Sequence, residues 1–264
     1  MNLSNNCLGE HGAVAIAQAL QEVAQNSLAN PKEIHDIEVL NIASNATGIG
    51  GGVAVAEMLK ERGCHVAVLN MANNDIGMNG GTALGQAIAF NMYLTNIDLS
   101  DNGLGIAGGR AIAEALCTNR SVKVLDMSKN FIGPEGGQAF GAALKVNEAL
   151  SRLTLDQNDL GDVGVGALSE GLRGSSTGAG FSDIDLNAGG DAGRPNVHIT
   201  YLSLRHNRIG PAGAQCLVES IKDNYRSTRR APCIDVVGLG VKKRTFGDNS
   251  QLPPTVESII TDGH

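Results

Sequence analysis

Residues 94–116 have the sequence LTNIDLSDNGLGIAGGRAIAEAL, and the same pattern recurs along most of the chain. Ile97 and Leu99 alternate with polar residues, which is the period-two pattern of a short strand with one buried face. After Asn102 the chain has a Gly-containing turn and then an Ala-rich segment with apolar residues at helical spacing. The stretch therefore predicts a strand, a turn and a helix.

An Asn follows the strand half of each unit, and we call these residues the hinge Asn residues. Between Asn45 and Asn158 they are 28 or 29 residues apart, and the last interval, to Asn207, is 49 residues. A fixed period of about 20–50 residues is typical of solenoids. Because an Asn side chain both donates and accepts, we expect it to be buried at the corner and to bond backbone groups there. The hinge Asn residues are Asn6, Asn45, Asn74, Asn102, Asn130, Asn158 and Asn207.

A single unit cannot bury its own apolar face, so the units must stack on one another. Parallel strands lie about 4.8 Å apart, whereas packed helices need about 8–10 Å, so such a stack curves. The sequence therefore predicts an α/β solenoid in which a parallel sheet lines the concave side and helices cover the convex side.

The residues themselves resemble a known repeat. The sequence at 94–116, together with IGPEGGQAFGAAL at 132–144 and IGPAGAQCL at 209–217, is similar to the ribonuclease-inhibitor type of leucine-rich repeat. Within that type it resembles the repeats of NOD-like receptors and of Ran GTPase-activating proteins. The resemblance covers residues 1–221 and implies a horseshoe-shaped leucine-rich-repeat solenoid, but it leaves the partner open.

The domain organisation follows from where the pattern holds. We expect about seven repeats in residues 1–221, with the first one truncated, which suggests a fragment of a larger protein. A Gly-, Ser- and Asp-rich insertion is expected near 173–196. Residues 222–264 are expected to form a last strand and a C-terminal cap or tail. Basic residues at 226–230 and 242–244 are interpreted as part of a solvated tail.

Composition argues against several functional classes. The net charge of −7 and the pI near 5.3 do not favour nucleic acid or an anionic membrane surface as the main partner. The 5 scattered Cys suit free thiols in a reducing compartment. The sequence contains neither a secretory leader nor an apolar run long enough to span a membrane, so we expect a cytoplasmic protein.

We expect no enzyme activity, no cofactor and no metal. The GxGxxG at 103–108 lies between a predicted strand and helix, but two of its glycines recur in other repeats. The His and Cys residues have no metal-ligand spacing, and no nucleophile–base pair follows from the sequence. Asp98 and Asp126 should lie about 5 Å apart on neighbouring strands, and we interpret them as part of a polar stripe and not as an acid–base pair.

The concave face is the expected binding surface. Its centre is predicted to be small and acidic, and its C-terminal third adds Tyr and Arg, which are favoured at interface hot spots. We therefore expect a protein partner there. The candidate partner-binding residues are Asn96, Asp98, Asp126, Arg152, Asp156, Tyr201 and Arg205.

Two functions follow as hypotheses. The first is a non-enzymatic protein-interaction scaffold, such as the recognition part of a larger NOD-like receptor. The second, implied by the resemblance to Ran GTPase-activating proteins, is activation of a Ran-like small GTPase. Self-association through the exposed apolar face of the first repeat is a further expectation.

Overall fold

The structure is a computed structural model that describes residues 1–29, 37–173, 196–228 and 233–235. Helices and strands alternate along these residues. The strands are β1 (Val39–Asn41), β2 (Val68–Asn70), β3 (Asn96–Asp98), β4 (Val124–Asp126), β5 (Arg152–Thr154), β6 (Tyr201–Ser203) and β7 (Cys233–Asp235). The helices are α1 (Gly9–Ala29), α2 (Gly48–Lys60), α3 (Gly77–Phe90), α4 (Gly105–Thr118), α5 (Gly133–Val146), α6 (Gly161–Arg173) and α7 (Pro211–Thr228).

The strands form one open parallel sheet whose spatial order is the chain order, from β1 to β7. Equivalent residues of successive strands lie directly opposite each other, so that Ile97 lies between Leu69 and Leu125. These middle residues of the strands point into the core and are buried. The predicted solenoid, with a concave parallel sheet and convex helices, is confirmed.

The core is one continuous layer between the sheet and the helices. Each described repeat contributes the middle residue of its strand and the inner face of its helix, as Leu125 and Leu144 do in the fifth. Phe140 is the largest side chain that is fully buried. The layer has no gap between repeats, so every internal repeat depends on both neighbours for its burial.

The hinge Asn residues connect one repeat to the next. Asn130 Oδ1 accepts hydrogen bonds from the amides of Asn102 (3.0 Å) and Leu104 (3.3 Å) in the preceding repeat. Its Nδ2 donates to the carbonyls of Leu99 (2.8 Å) and Met127 (3.0 Å). One side chain thus satisfies backbone groups of two repeats at the point where the strand ladder stops.

The same arrangement runs along the sheet as a hinge ladder, in which each hinge Asn amide donates to Oδ1 of the next hinge Asn. All of these side chains are buried except Asn6, which lies in the first repeat and is exposed. The donating amides, at 2.8–3.0 Å, are those of Asn6, Asn45, Asn74, Asn102, Asn130 and Asn158.

A second row of asparagines lies at the opposite corner, where each helix returns to a strand. Asn119 Nδ2 donates to the carbonyls of Ile88 and Asn91, both at 2.8 Å, and its Oδ1 accepts from the amides of Ser121 and Val122. Sequence analysis did not identify this row, although its members recur at the same interval as the hinge Asn residues. We call it the helix-end ladder, and its members are Asn91, Asn119, Asn147, Asn196 and Asn224.

The insertion expected at 173–196 joins α6 to β6, and its residues 174–195 lie outside the described part of the chain. Its two end residues belong to the repeats. Arg173 is the last residue of α6, and its Nε lies 3.1 Å from Asp223 Oδ2 on α7. Asn196 is buried in the helix-end ladder. The repeats on the two sides therefore stack directly on each other.

The expected boundary at residue 221 falls inside α7, which continues to Thr228 before β7 adds to the sheet. The seventh helix is thus longer than the repeat pattern indicates, and β7 pairs with β6 in parallel. The tail expected after it, including the basic residues at 242–244, lies outside the described residues, as do the side chains of 226–230.

Neighbouring helices approach each other most closely at glycines. A Cβ on Gly137 would lie 2.6 Å from the Cα of Gly164, and a Cβ on Gly141 would lie 2.4 Å from the carbonyl oxygen of Ala167. Backbone atoms on both sides leave no room for even a methyl group. Glycine, and not only the Ala predicted from the sequence, therefore sets the spacing between helices.

Replacing Gly137 with Ala should reduce the free energy of unfolding by about 1–3 kcal/mol, because the new methyl group forces two backbones apart. Gly166→Ala on α6 is the matched control, since a Cβ there meets nothing within 4 Å. That control should raise stability by about 0.5–1 kcal/mol, because Ala is the better helix former. Urea denaturation followed by circular dichroism measures both, and equal effects would contradict the packing argument.

Asn130→Ala should lower the free energy of unfolding by at least about 3 kcal/mol, because several buried backbone groups lose their partners at once. Asn130→Asp retains an acceptor but turns a carboxylate oxygen toward two carbonyls, so it should also destabilise strongly. Asn96→Ala on the exposed sheet face is the control and should stay within about 0.5 kcal/mol of wild type. A loss at Asn130 no larger than the control's would be inconsistent with the hinge ladder.

Candidate partner-binding surface

Three rows of side chains line the concave face because the strands are in register. The first row holds the first residue of each strand from β1 to β6, namely Val39, Val68, Asn96, Val124, Arg152 and Tyr201. The second row holds the third residue, namely Asn41, Asn70, Asp98, Asp126, Thr154 and Ser203. The third row lies two residues further on, namely Ala43, Ala72, Ser100, Ser128, Asp156 and Arg205.

The candidate residues from the sequence fall into separate places on these rows. Asp98 lies opposite Asp126 in the second row, and Arg152 lies opposite Tyr201 in the first. The third row places Asp156 beside Arg205, whose carbonyl accepts from the amide of Gln157. Asn96 is exposed but is separated from Arg152 by Val124. The structure thus divides the set into an acidic centre and a C-terminal group.

The Asn and Asp side chains of the second row bond to their own backbone. Asp98 Oδ1 accepts from the amide of Ser100 at 3.0 Å, and Asp126 Oδ1 accepts from that of Ser128 at 2.9 Å. Asn41 and other members make the same bond to the residue two positions on. Each side chain therefore helps to turn the chain out of its strand. This role accounts for an Asn or Asp at these positions without any catalytic purpose.

Asp126 is the carboxylate most perturbed by this arrangement. Burial raises its pKa above the ordinary value, and the nearby Asp98 and Asp156 raise it further, whereas hydrogen bonds from Ser128 act in the opposite direction. The ionised form is thus disfavoured in the folded state. The ionised carboxylate of Asp126 therefore lowers the stability of the fold at neutral pH, whereas the uncharged Asn41 and Asn70 in the same row do not.

Asp156 has a different role, which sequence analysis did not foresee. The repeat that contains β6 has Ser203 where most repeats have Asn or Asp, so it lacks the usual acceptor for the amide two positions on. Asp156, which follows β5 in the preceding repeat, supplies that acceptor: its Oδ1 accepts from the Arg205 amide at 2.8 Å and from the Ser203 hydroxyl at 2.6 Å. This carboxylate therefore ties together the two repeats that flank the insertion.

Arg152 and Tyr201 form the most distinctive contact on the concave face. The guanidinium carbon of Arg152 lies 4.4 Å from the centroid of the Tyr201 ring, which is cation–π geometry. Arg152 is exposed and Tyr201 is half-buried. Because the ring holds the guanidinium in place, this pair can contact a partner with little further loss of side-chain freedom.

The structure also bears on three other features considered in the sequence: the GxGxxG at 103–108, metal sites and membrane-spanning segments. Gly103 and Gly105 both have φ of 60°, and Phe131 adopts the corresponding left-handed conformation in the next repeat, so the GxGxxG is an ordinary corner. Within the described ranges, no group of three His, Cys, Asp or Glu could hold a metal ion. In the same ranges, no helix is both long and apolar enough to cross a membrane.

Comparison with known proteins assigns the repeats. Four segments match the family model Leucine Rich repeat, at residues 64–85, 90–113, 118–141 and 196–218. Each segment contains one strand and the beginning of the helix that follows it. This chain contains leucine-rich repeats.

The wider comparisons add little to this. No curated protein matches the sequence. One similar solved structure is Leiomodin-1 Actin-Binding Site 2 (ABS2), with 21% identity and a TM-score of 0.44, covering 52% of this chain and 76% of that chain. The family model and the fold therefore carry the assignment to leucine-rich repeats.

Asp126→Asn should stabilise the protein at pH 7 by about 1 kcal/mol or less, because it removes a partly buried charge near two others. The folded-state pKa is raised, so the cost of the ionised Asp126 is complete at neutral pH and disappears as the pH falls through that pKa. The gain from the substitution should therefore shrink on acidification. Thermal unfolding measured between pH 7 and pH 4 tests this. Asp98→Asn should give a smaller gain in stability, because burial, and not Asp98, is the main cause of the raised pKa of Asp126. A gain that grows at low pH would contradict it.

Proposed function

We propose that this protein is a non-enzymatic interaction scaffold that binds a protein partner at the C-terminal third of its concave face. Leucine-rich repeats are typical of protein-interaction modules, and a solenoid offers an extended surface without a built-in cleft. The Arg152–Tyr201 pair carries the proposal, since it combines two residue types favoured at hot spots in a fixed geometry.

The surroundings of this pair support a defined footprint. Toward the N terminus, the first row holds mostly Val, and the second row holds Asn and Asp side chains whose oxygens accept backbone hydrogen bonds, as at Asp126. Toward the C terminus, Arg205 adds an exposed cationic side chain in the third row. We expect Arg152, Tyr201 and Arg205 to contact the partner directly, and Asn96, Asp98, Asp126 and Asp156 to form the flank of the interface.

Replacing Tyr201 and Arg152 together with Ala should reduce the amount of partner captured from source cytosol about tenfold or more, because the anchor of the interface is lost. Arg110→Ala on the convex helix α4 is the matched control, since it removes one exposed Arg that pairs only with Glu114 along its own helix. Quantitative mass spectrometry of the captured proteins gives the readout. Recovery of the same partners at the same yield by the double variant would exclude this site.

Oligomeric state should be measured first by light scattering over a range of concentrations. Self-association through the first repeat would add copies to each captured complex and would change the apparent yield. A monomer at all concentrations removes that contribution and argues against the self-association proposed from the sequence.

Activation of a Ran-like GTPase is the second candidate, favoured by the resemblance of the corner and helix sequences to Ran GTPase-activating proteins. Single-turnover hydrolysis of GTP by Ran, with and without this protein, separates the two proposals. A large acceleration would favour the second candidate. An unchanged rate together with specific partner capture would favour the scaffold.

A further inference from the structure

A cluster of large apolar side chains is exposed where α3 ends, far from the concave anchor. Phe90 is 83% exposed, Met92 80% and Tyr93 40%, and we call these three residues the α3-end cluster. The Tyr93 ring also meets that of His65 edge-on, with centroids 4.5 Å apart. Exposed apolar surface that is concentrated within four residues of the chain is typical of a binding site, because its contact with water is unfavourable and a partner removes that contact.

Three of the other exposed apolar side chains have a packing role that Phe90 and Met92 lack. Ile49, Met78 and Ile106 follow the first glycine of their helices and cover the equivalent glycine of the next repeat. Met78 Cγ, for example, lies 3.0 Å from where a Cβ on Gly105 would be. Phe90 and Met92 instead leave at least 80% of their surface in solvent. Their size is therefore not explained by the stacking of repeats.

The cluster is also a local departure from the repeat. One repeat later, the positions of Phe90 and Met92 hold Thr118 and Arg120, and one repeat earlier the last helical residue is Lys60. Packing at this corner is carried by the Asn residues of the helix-end ladder and needs no aromatic residue. The size and exposure of Phe90 and Met92 are therefore not required by the fold.

Two arginines flank the cluster and give it a positive border. Arg62 and Arg120 are both exposed, and Arg120 Nη1 donates to the carbonyls of Cys117 and Asn119, which fixes its direction. At the end of α2, beside Arg62, two carboxylates are engaged with other residues: Glu61 accepts from glutamines of α1, and Glu57 pairs with Lys60. On a chain with net charge −7 this border is local and distinctive.

We propose that the α3-end cluster is a second docking site, for a protein segment in which an aromatic or aliphatic side chain lies beside Asp or Glu residues. The apolar side chain packs against Phe90 and Met92, and the carboxylates pair with Arg62 and Arg120 on either side. Met and aromatic residues supply adaptable contact area, and the arginines supply register and selectivity. This site is independent of the concave surface proposed above.

A random peptide library displayed on phage, panned on the full chain and counter-selected on a Phe90→Ser/Met92→Ser double variant, tests the proposal. The selected peptides should combine a large apolar residue with Asp or Glu within a few positions. Their Kd should rise at least tenfold in the double variant and several-fold in Arg62→Glu/Arg120→Glu. Added salt should also raise the Kd for the wild-type chain. Phe131→Ser, which removes another exposed aromatic residue, is the matched control and should leave the Kd unchanged, as should Tyr201→Ala.

Several results would overturn the proposal. The proposal is wrong if the selected peptides lack acidic residues or bind the charge-reversed variant equally well. It is also wrong if no peptide distinguishes the wild type from the double variant. A dimer of the wild-type chain that the double variant lacks would show that a second copy occupies the cluster instead. Circular dichroism of each variant should match that of the wild type, which shows that the variants are folded. Small decreases in melting temperature are expected for Tyr201→Ala and Arg62→Glu/Arg120→Glu, because Tyr201 is half-buried and Arg120 donates to two carbonyls.

Discussion

Backbone groups at the two corners of each repeat must find partners inside the stack, and asparagine side chains supply them. At the strand end, Asn130 bonds amides of the preceding repeat and carbonyls on both sides. At the helix end, Asn119 does the same for the turn that leads back to the sheet. A short amide side chain suits both corners because it donates and accepts within one small group. The sheet, the helix layer and the exposed rows all inherit their alignment from these two ladders.

This dependence limits what the concave face can do. Its second row contains carboxylates, but each accepts a hydrogen bond from its own chain two residues on, so the row maintains the turn that follows the strand. Burial, and to a smaller extent the nearby carboxylates of Asp98 and Asp156, raises the pKa of Asp126 in that row. Asp156 is committed to the neighbouring repeat. The residues with freedom to serve a partner are therefore at the ends and edges of the array, where Arg152 stacks on Tyr201 and where α3 ends.

The repeat spacing was enough to predict the solenoid, the parallel sheet and the register of its rows. Periodicity of 2 and of 3.6 located strand and helix because each repeat buries one face only. The helix-end ladder was missed for a different reason: Asn91 and Asn119 lie at a corner without apolar periodicity, and the signal is a single residue type. The left-handed conformations on either side of each hinge Asn were also invisible in the sequence, since residues as different as Lys129 and Phe131 adopt them.

Residue-level contacts of the surface were harder to foresee than its outline. Register places Arg152 near Tyr201, but whether a guanidinium lies over a ring depends on rotamers that a sequence does not specify. Asp156 accepts a hydrogen bond from the Arg205 amide because position 203 has no Asn or Asp to do so. This role could not be seen from position 156 by itself. Exposed residues at a corner, such as Phe90, carry no periodic signal because no neighbour buries them.

The helix-end ladder continues across the junction between the fifth and sixth strands. Asn196 donates to the carbonyl of Leu144, 52 positions earlier, as if the residues between had not been added. The alignment of the repeats thus does not depend on the length of the segment between Arg173 and Asn196. That junction is a natural place for evolution, or a protein engineer, to splice in a new module while the scaffold on either side keeps its shape.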